Sequence, residues 1–386
     1  MQFSLACNWD KQFVAELRQY QVKDVFGKLP LDIIGGGRPA FLLPQIDRPA
    51  VEDYIREVHA HDLEFTYLLN APCAGGREFT SEGHRELLAF MGWLSEIGVD
   101  RITVGTPFLL QFIKRHFPHI QVAASVYCHV DSIRKARILE DMGVDLITLS
   151  QSLTRNSPVL KALRKAVKCE LQIYVNNTCL HECPFQYYHA NTVGHSTEIH
   201  GSQRGFFIDY CYSLCTLKRL SDPVEFIRGD WVRPEDLHYY EQIGYTLFKL
   251  ADRKKSSAWL RRVVSAYSRR EYCGNLVDLV PFGFADEPGS EQVAGELLNR
   301  PDLVKRDYLK SCAGKRFPLY IDNKALDGFL EEIMGQHCEL VGCRSCTICQ
   351  RWAERSVRTT EESNQEALAA FDSKVDNLID GTLWPS

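Results

Sequence analysis

Four short apolar runs recur between residues 101 and 175: Arg101-Ile-Thr-Val104, Val122-Ala-Ala-Ser-Val126, Leu146-Ile-Thr-Leu149 and Leu171-Gln-Ile-Tyr-Val175. Each run has the length and the β-branched residues of a buried strand. Amphipathic segments with helix-start residues lie between them, at Pro107–Phe117, Asp131–Met142 and Pro158–Val167. The alternation of strand and helix predicts an α/β fold built from parallel βα units.

The same alternation continues on both sides of this stretch. Upstream we predict strands at Phe3–Ala6, Leu31–Ile34 and Glu64–Leu69, with helices at Ala50–His61 and Ser81–Ile97. Downstream we predict the helix Pro234–Ile243, the strand Thr246–Leu250 and the helix Ser256–Arg270. Eight βα units indicate a (β/α)8 TIM-like barrel. A doubly wound open sheet is the alternative, but Ala6-Cys7-Asn8-Trp9 follows the first strand where that fold has a glycine-rich phosphate turn.

The chain of 386 residues is longer than one core usually allows. We therefore predict a barrel over residues 1–275, with an insertion at about 177–232. Residues 276–386 form a small C-terminal module that contains a second group of cysteines and ends in a helix near Thr360–Ile379.

Charge and composition narrow the class of protein. The net charge is −5, from 45 basic and 50 acidic residues, and no basic run indicates a nucleic-acid surface. The N-terminal residues lack a leader pattern and no run of about 18 apolar residues occurs, so we expect a cytoplasmic protein without a membrane partner. Fourteen cysteines in such a chain indicate metal ligands or catalytic thiols rather than disulfides.

Two Cys-x3-Cys pairs stand out, Cys179 with Cys183 and Cys211 with Cys215. Four thiolates complete either an iron–sulfur cluster or a tetrahedral zinc site. The first pair follows the seventh predicted strand, at the end of a barrel where catalytic groups lie. We favour the cluster because zinc knuckles more often use Cys-x2-Cys.

The C-terminal module contains a tighter group, Cys338-x4-Cys343-x2-Cys346-x2-Cys349. This spacing is closer to that of a ferredoxin than to that of a zinc ribbon, which sets two Cys-x2-Cys hooks well apart. The sequence predicts a second [4Fe–4S] cluster here, with structural zinc as the alternative.

Polar residues near the first cysteine pairs are further candidates. His189 and His195 lie between the pairs and are candidates for acid–base catalysis, or else belong to a polar lid whose histidines are hydrogen-bonded. Arg38, in the Gly35-Gly-Gly-Arg38 loop, and Asn176, at the end of the seventh strand, are candidates for substrate binding.

One segment resembles a known family. Ile243-Gly-Tyr-Thr-Leu-Phe-Lys249-Leu-Ala-Asp-Arg253, followed by a helix with Tyr267 and Arg269, is similar to a motif of peptidase family U32. The stretch from Cys179 to Asp236 resembles a cysteine-pair subgroup of that family. The resemblance covers most of residues 1–275. Asp252 stands where the family motif has glycine, and the family's peptidase signature is absent.

The resemblance implies a barrel and an iron–sulfur hydroxylase. Members of the subgroup are similar to oxygen-independent hydroxylases of ubiquinone precursors or RNA bases, with one four-cysteine [4Fe–4S] cluster and prephenate as the implied oxygen donor. Cys179, Cys183, Cys211 and Cys215 would be the ligands. Lys249 and Arg253 would match strand-end basic residues that clamp the carboxylates of a prephenate-like diacid. A salt bridge to Asp252 is the alternative role of these two cations.

The predicted function is thus an iron–sulfur oxidoreductase that hydroxylates a small aromatic molecule or an RNA base. A U32-type peptidase is the alternative, although the sequence has no His-Glu-x-x-His motif and no nucleophile elbow. A non-catalytic partner subunit is the third possibility. The resemblance implies that the chain pairs with another U32-type barrel as a homo- or hetero-oligomer.

Overall fold

Eight parallel strands close into a barrel. The computed structural model describes residues 1–201, 208–280, 282, 319–336, 338, 343 and 346–384. The strands are β1 (Gln2–Ala6), β2 (Val22–Gly27), β3 (Glu64–Leu69), β4 (Arg101–Val104), β5 (Gln121–Ala124), β6 (Leu146–Thr148), β7 (Glu170–Tyr174) and β8 (Leu247–Leu250). Each strand pairs with its sequence neighbour, and β8 pairs with β1 to close the ring. This confirms the predicted (β/α)8 barrel.

Helices follow the strands as a barrel requires. In chain order they are α1 (Lys11–Val14), α2 (Arg48–Ala60), α3 (Ser81–Glu96), α4 (Pro107–His116), α5 (Ile133–Asp141), α6 (Ser157–Ala166), α7 (Gln186–Ser196), α8 (Tyr210–Ser221), α9 (Val224–Arg228), α10 (Leu237–Glu241), α11 (Ser257–Arg269), α12 (Phe329–Met334), α13 (Ile348–Ser356) and α14 (Glu361–Ile379).

Local sequence explains where the barrel helices begin. Seven of them start after a residue whose side-chain oxygen accepts a backbone N–H of the first turn: Asp10, Asp47, Thr80, Thr106, Ser132, Asn156 and Ser256. Such caps satisfy N–H groups that have no partner within the helix. Proline near the start of α2, α4 and α6 adds a backbone angle already suited to a helix.

The second strand differs from the prediction. Leu31–Ile34 is not a strand, and β2 lies earlier, at Val22–Gly27. The Asp32 carboxylate accepts the backbone N–H of Ile34 at 3.1 Å and that of Gly35 at 2.8 Å, which folds this run into a turn. The predicted strand was therefore wrong, and Lys28 becomes the residue that follows β2.

The barrel interior has an apolar part and a polar part. Ala123, Leu146 and Leu247 pack together in the apolar part. In the polar part the Asp24 carboxylate accepts hydrogen bonds from Ser4 Oγ at 2.8 Å and Thr66 Oγ1 at 2.9 Å. The Ser4 and Thr66 hydroxyls can be buried because each donates to this carboxylate, whose other oxygen lies 3.7 Å from Arg101 Nη1.

The chain divides into two compact units. We call Met1–Asn176, Pro184–Phe207 and Trp231–Glu271 the barrel unit, and Asn177–Cys183, Ile208–Asp230 and Tyr272–Ser386 the cysteine unit. The predicted insertion is divided between them, since α7 with its histidines belongs to the barrel unit and both cysteine pairs belong to the cysteine unit. Among the helices that the structure describes, none has both the length and the apolar character to cross a bilayer.

Candidate functional site

The four cysteines of the first set are neighbours within the cysteine unit. Cys211 and Cys215 are one turn apart on α8 and so lie on the same face. The pKa of Cys179 is raised to about 12, mainly by burial and in part by the charges of Cys183 and Cys215. Burial and the Asp209 carboxylate raise the pKa of Cys211 to about 12, with Cys183 and Cys215 contributing in the same direction. Cys183 and Cys215 thus lie within electrostatic reach of both Cys179 and Cys211.

A buried arginine connects the two cysteine segments. Arg219 is 2% exposed, and its Nη1 donates to Cys215 Sγ at 3.3 Å. Its Nη2 donates to the carbonyl oxygen of Thr178, the residue before Cys179. A guanidinium in this position attracts thiolates and holds α8 against the loop that carries the other pair.

The same loop contains a histidine–aspartate pair that the sequence analysis did not identify. His181 Nδ1 lies 2.6 Å from Oδ1 of Asp230, whose side chain is buried. Asn177 Nδ2 donates to the Asp230 carbonyl oxygen at 2.8 Å, which fixes that end of the segment. His181 lies between two predicted ligands, but its partner is 49 residues away, so spacing alone gave no signal for the pair.

The donor set suits an iron–sulfur centre. It offers four thiols from two segments and one cation beside them, and soft thiolates are the ligands of such clusters. Among the described residues, no group of three or more His, Cys, Asp or Glu side chains is arranged so that it could hold a metal ion as it stands. The cysteines that would hold such a cluster are Cys179, Cys183, Cys211 and Cys215.

The second cysteine set is gathered around a cavity in the cysteine unit. Cys338, Cys343, Cys346 and Cys349 all line it, together with Arg228.

Three of the predicted substrate-binding residues form a cationic group in the barrel unit. Arg253 follows β8 and is 5% exposed, yet its Nη1 has no hydrogen-bond partner among the described residues. Burial lowers the pKa of Arg253, and the like charge of Arg38 adds to this effect. Burial also lowers the pKa of Lys249 to about 8, with Arg253 contributing. Arg38, Lys249 and Arg253 therefore influence one another at the strand ends.

Asp252 pairs with Arg38 rather than with Lys249. Arg38 Nε donates to Asp252 Oδ1 at 2.9 Å, and Lys254 Nζ lies 3.8 Å from the other oxygen. Burial acts to raise the pKa of Asp252, but the attraction of Arg38 and Lys254 outweighs it and the pKa falls below its usual range. The Asp252 carboxylate thus orients Arg38. The Nη1 of Arg253 is left without a hydrogen-bond partner among the described residues.

Asn176 supports the backbone beside this group. It is fully buried, and its side chain donates to the carbonyl oxygen of Ala251 and accepts the Ala251 N–H at 2.9 Å. Asn176 therefore holds the chain that leads into Asp252 and Arg253.

A second buried ion pair lies at the end of β2 and was missed because that strand was misplaced. Lys28 Nζ is 2.9 Å from Asp32 Oδ2, and Tyr67 Oη donates to the same oxygen at 3.0 Å. Burial lowers the pKa of Lys28, and Asp32 opposes that effect. The side chain of Asn70, after β3, presents a buried Oδ1 without a hydrogen-bond partner among the described residues. Lys28 and Asn70 each follow a barrel strand, at the end where catalytic groups are expected.

The two predicted catalytic histidines lie on α7 but face different directions. His195 is exposed, with Nδ1 3.1 Å from Oε1 of the buried Glu198. Burial raises the pKa of Glu198, and His195 opposes this shift. His189 is partly exposed and lies six residues earlier, on another face of the helix. His195 therefore has the carboxylate neighbour that acid–base catalysis favours.

The free energy of unfolding of a Lys249 variant tests whether this cationic group carries a buried charge. Replacing Lys249 with methionine should raise the free energy of unfolding at pH 7 by about 2 kcal/mol, because the buried charge is costly. The folded-state pKa, about 8, lies below the usual 10.5. The penalty is therefore fully present below pH 8 and disappears as the pH rises toward 10.5.

Urea unfolding between pH 7 and 10 measures this difference. The gain of Lys249→Met over the parent should shrink across that range. Lys161→Met, on an exposed position of α6, is the matched control and should show neither effect. A constant difference between Lys249→Met and the parent would contradict the assignment.

Comparisons with known proteins relate the chain to one family. The profile of peptidase family U32 matches residues 45–271. A protein of Methanocaldococcus jannaschii named as an uncharacterized protease is 28% identical over 334 residues, covering 85% of this chain and 86% of its own length. The solved structure of a U32 peptidase is 22% identical, with a TM-score of 0.49, covering 65% of this chain and 93% of that one. The family profile spans more than half of the chain, and the protein belongs to peptidase family U32.

Proposed function

We propose that the protein is an iron–sulfur oxidoreductase of the U32 family. The observation that carries the proposal is the grouping of four cysteines in the cysteine unit, one of which, Cys215, accepts a hydrogen bond from the buried Arg219. Cys179, Cys183, Cys211 and Cys215 would hold the cluster. When bound, such a cluster supplies one-electron transfer at a potential set by its charge, burial and hydrogen bonds to sulfur.

The barrel unit supplies a site for an anionic small molecule. Arg253 is buried with an unsatisfied N–H, and an unpaired buried donor is costly until a ligand engages it. A carboxylate is the acceptor that best matches a guanidinium, since two parallel hydrogen bonds can form. Arg38 and Lys249 add positive charge beside it. The substrate or co-substrate therefore carries at least one carboxylate.

His195 is the group that would move protons in this barrel. Its Nδ1 lies 3.1 Å from Oε1 of Glu198, so a carboxylate stands beside one ring nitrogen and the imidazole would accept a proton from a bound molecule at the other. The Glu198 carboxylate stabilises the imidazolium that results.

The reaction class we propose is oxygen-independent hydroxylation of a small aromatic molecule or an RNA base, with a prephenate-like diacid as oxygen donor. The family resemblance and the carboxylate-seeking Arg253 support it. The test compares cells that lack the protein with cells that carry the parent or Arg253→Met, all grown without oxygen. A compound or nucleoside that gains one oxygen atom only with the parent supports hydroxylation. Identical oxygen content in all three would contradict it.

A hydrolase is the second candidate, favoured by the His181–Asp230 pair and by the protease name of the archaeal relative. An aspartate-oriented histidine near a thiol can activate a cysteine nucleophile. Asp230 also raises the pKa of Cys179, which places it near that thiol. Gelatin hydrolysis by metal-free protein that is lost in His181→Gln and kept in Cys211→Ser would favour the hydrolase over the oxidoreductase.

Arg219 is expected to tune the cluster. Arg219→Gln removes a positive charge and a hydrogen bond next to Cys215, so the added electron becomes less favourable and the midpoint potential should become more negative. Arg219→Lys keeps the charge and should remain closer to the parent. Potentiometric titration followed by electron paramagnetic resonance measures this, with iron content as the check on occupancy. Equal potentials in loaded Gln and parent proteins would refute the role.

A further inference from the structure

The second cysteine set lies in a part of the chain that the family profile does not match, since the match ends at residue 271. Its four cysteines line one cavity, of about 30 Å³. Ile333, Gln336 and Arg228 complete the lining. The spacing alone did not show that Cys338 lies beside the other three cysteines. In the structure all four line the same cavity.

Two helices hold opposite sides of this cavity in place. Cys338 follows α12, and Cys349 lies in the first turn of α13. Glu332 of α12 accepts hydrogen bonds from Trp352 Nε1 at 2.7 Å and from Arg351 Nη2 at 2.5 Å, both on α13. The ring of Phe329 contacts that of Trp352 with 5.7 Å between centroids. The thiols at the two ends of the set are therefore positioned by contacts that do not involve a cysteine.

A cation faces the same cavity. Arg228, the last residue of α9, lies on its wall and interacts electrostatically with Cys343. Asp222 at 3.1 Å and Glu225 at 2.7 Å hold its Nη1. Four thiolates carry more negative charge than a metal centre removes, and a fixed guanidinium beside them offsets part of the remainder.

The spacing of the four cysteines favours a cluster over a single ion. Around zinc, at about 2.3 Å from each sulfur, four thiolates touch one another and leave no open space between them. Around a four-iron cluster each cysteine sulfur binds a separate iron, so the sulfurs stand apart. Three cysteines at x2 spacing with a fourth just upstream, as in Cys338-x4-Cys343-x2-Cys346-x2-Cys349, are typical of the second arrangement.

We infer that Cys338, Cys343, Cys346 and Cys349 bind a second iron–sulfur cluster, with Arg228 as its charged neighbour. This goes beyond the proposed function, which needs only the first set. The cysteine unit would then carry two clusters.

The experiment counts metals in the full chain, purified without oxygen. Native mass spectrometry of the parent, which needs no variant, should give about eight irons and eight sulfides per chain. Cys346→Ser should lose about half of each, and Cys273→Ser, an exposed cysteine outside both sets, should lose none. Arg228→Gln keeps all four thiols and should retain the full iron content.

Two outcomes would overturn the inference. One is a parent protein that contains zinc, with that zinc absent from Cys346→Ser. The other is a Cys346→Ser protein with the same metal content as the parent. Cys211→Ser distinguishes this failure from failure of the proposed function, because that variant reports on the first set alone. Iron lost with Cys211→Ser but not with Cys346→Ser would reject the second cluster and keep the first.

Discussion

Anaerobically purified Cys211→Ser protein is expected to lose about four irons and four sulfides per chain, together with all activity that depends on the first cluster. Cys211 is buried on α8 and shares an electrostatic environment with Cys183 and Cys215. Serine oxygen is a poor substitute for a soft thiolate ligand. The absorbance of the cluster in the visible range and the iron count measure the loss.

The control for Cys211→Ser is Cys273→Ser, because Cys273 is an exposed cysteine outside both sets. It should retain the metal content and visible absorbance of the parent. Circular dichroism of Cys211→Ser should show that the barrel remains folded. A Cys211→Ser protein with the parent's iron content would remove Cys211 from the ligand set.

Arg253→Met is expected to weaken binding of a dicarboxylate such as prephenate by about 10- to 100-fold, the range for hydrogen bonds to charged groups. The same change should leave the free energy of unfolding equal or higher, because it removes a buried guanidinium that lacks a complete set of partners. Function and stability would thus move in opposite directions, as expected at a binding site. Calorimetric titration and urea unfolding measure the two effects.

Arg134→Met, on an exposed position of α5, is the matched control for Arg253 and should leave both quantities unchanged. Arg253→Lys keeps the charge without the fork and should recover only part of the affinity. If Arg253→Met bound the dicarboxylate as tightly as the parent, Arg253 would not be the carboxylate anchor.

The barrel could be predicted because its signals are local. Strand length, helix caps and the eightfold alternation are all visible along the sequence, and the structure agrees at seven of the eight strands. The prediction of the second strand was wrong because Leu31–Ile34 is apolar enough for a strand. In the structure Asp32 turns the chain there through contacts with Lys28 and Gly35. That error also hid Lys28, which was not recognised as a strand-end residue.

The candidate sites were predicted only where residues cluster in sequence. Both cysteine sets are of this kind, and so is the Lys249–Arg253 segment. Arg219, Asp230 and the Arg38–Asp252 pair depend on contacts between distant parts of the chain. No spacing rule identifies them, because the fold alone decides which buried charge meets which carbonyl, carboxylate or sulfur.

The most direct test of the account is the iron and sulfide content of anaerobically purified parent protein beside a Cys179→Ser, Cys211→Ser double variant. The account predicts a brown parent protein with a visible absorption band and a loss of about four irons and four sulfides per chain in the double variant. A colourless parent that contains stoichiometric zinc, or equal iron in both proteins, would contradict the claim that Cys179, Cys183, Cys211 and Cys215 hold an iron–sulfur cluster.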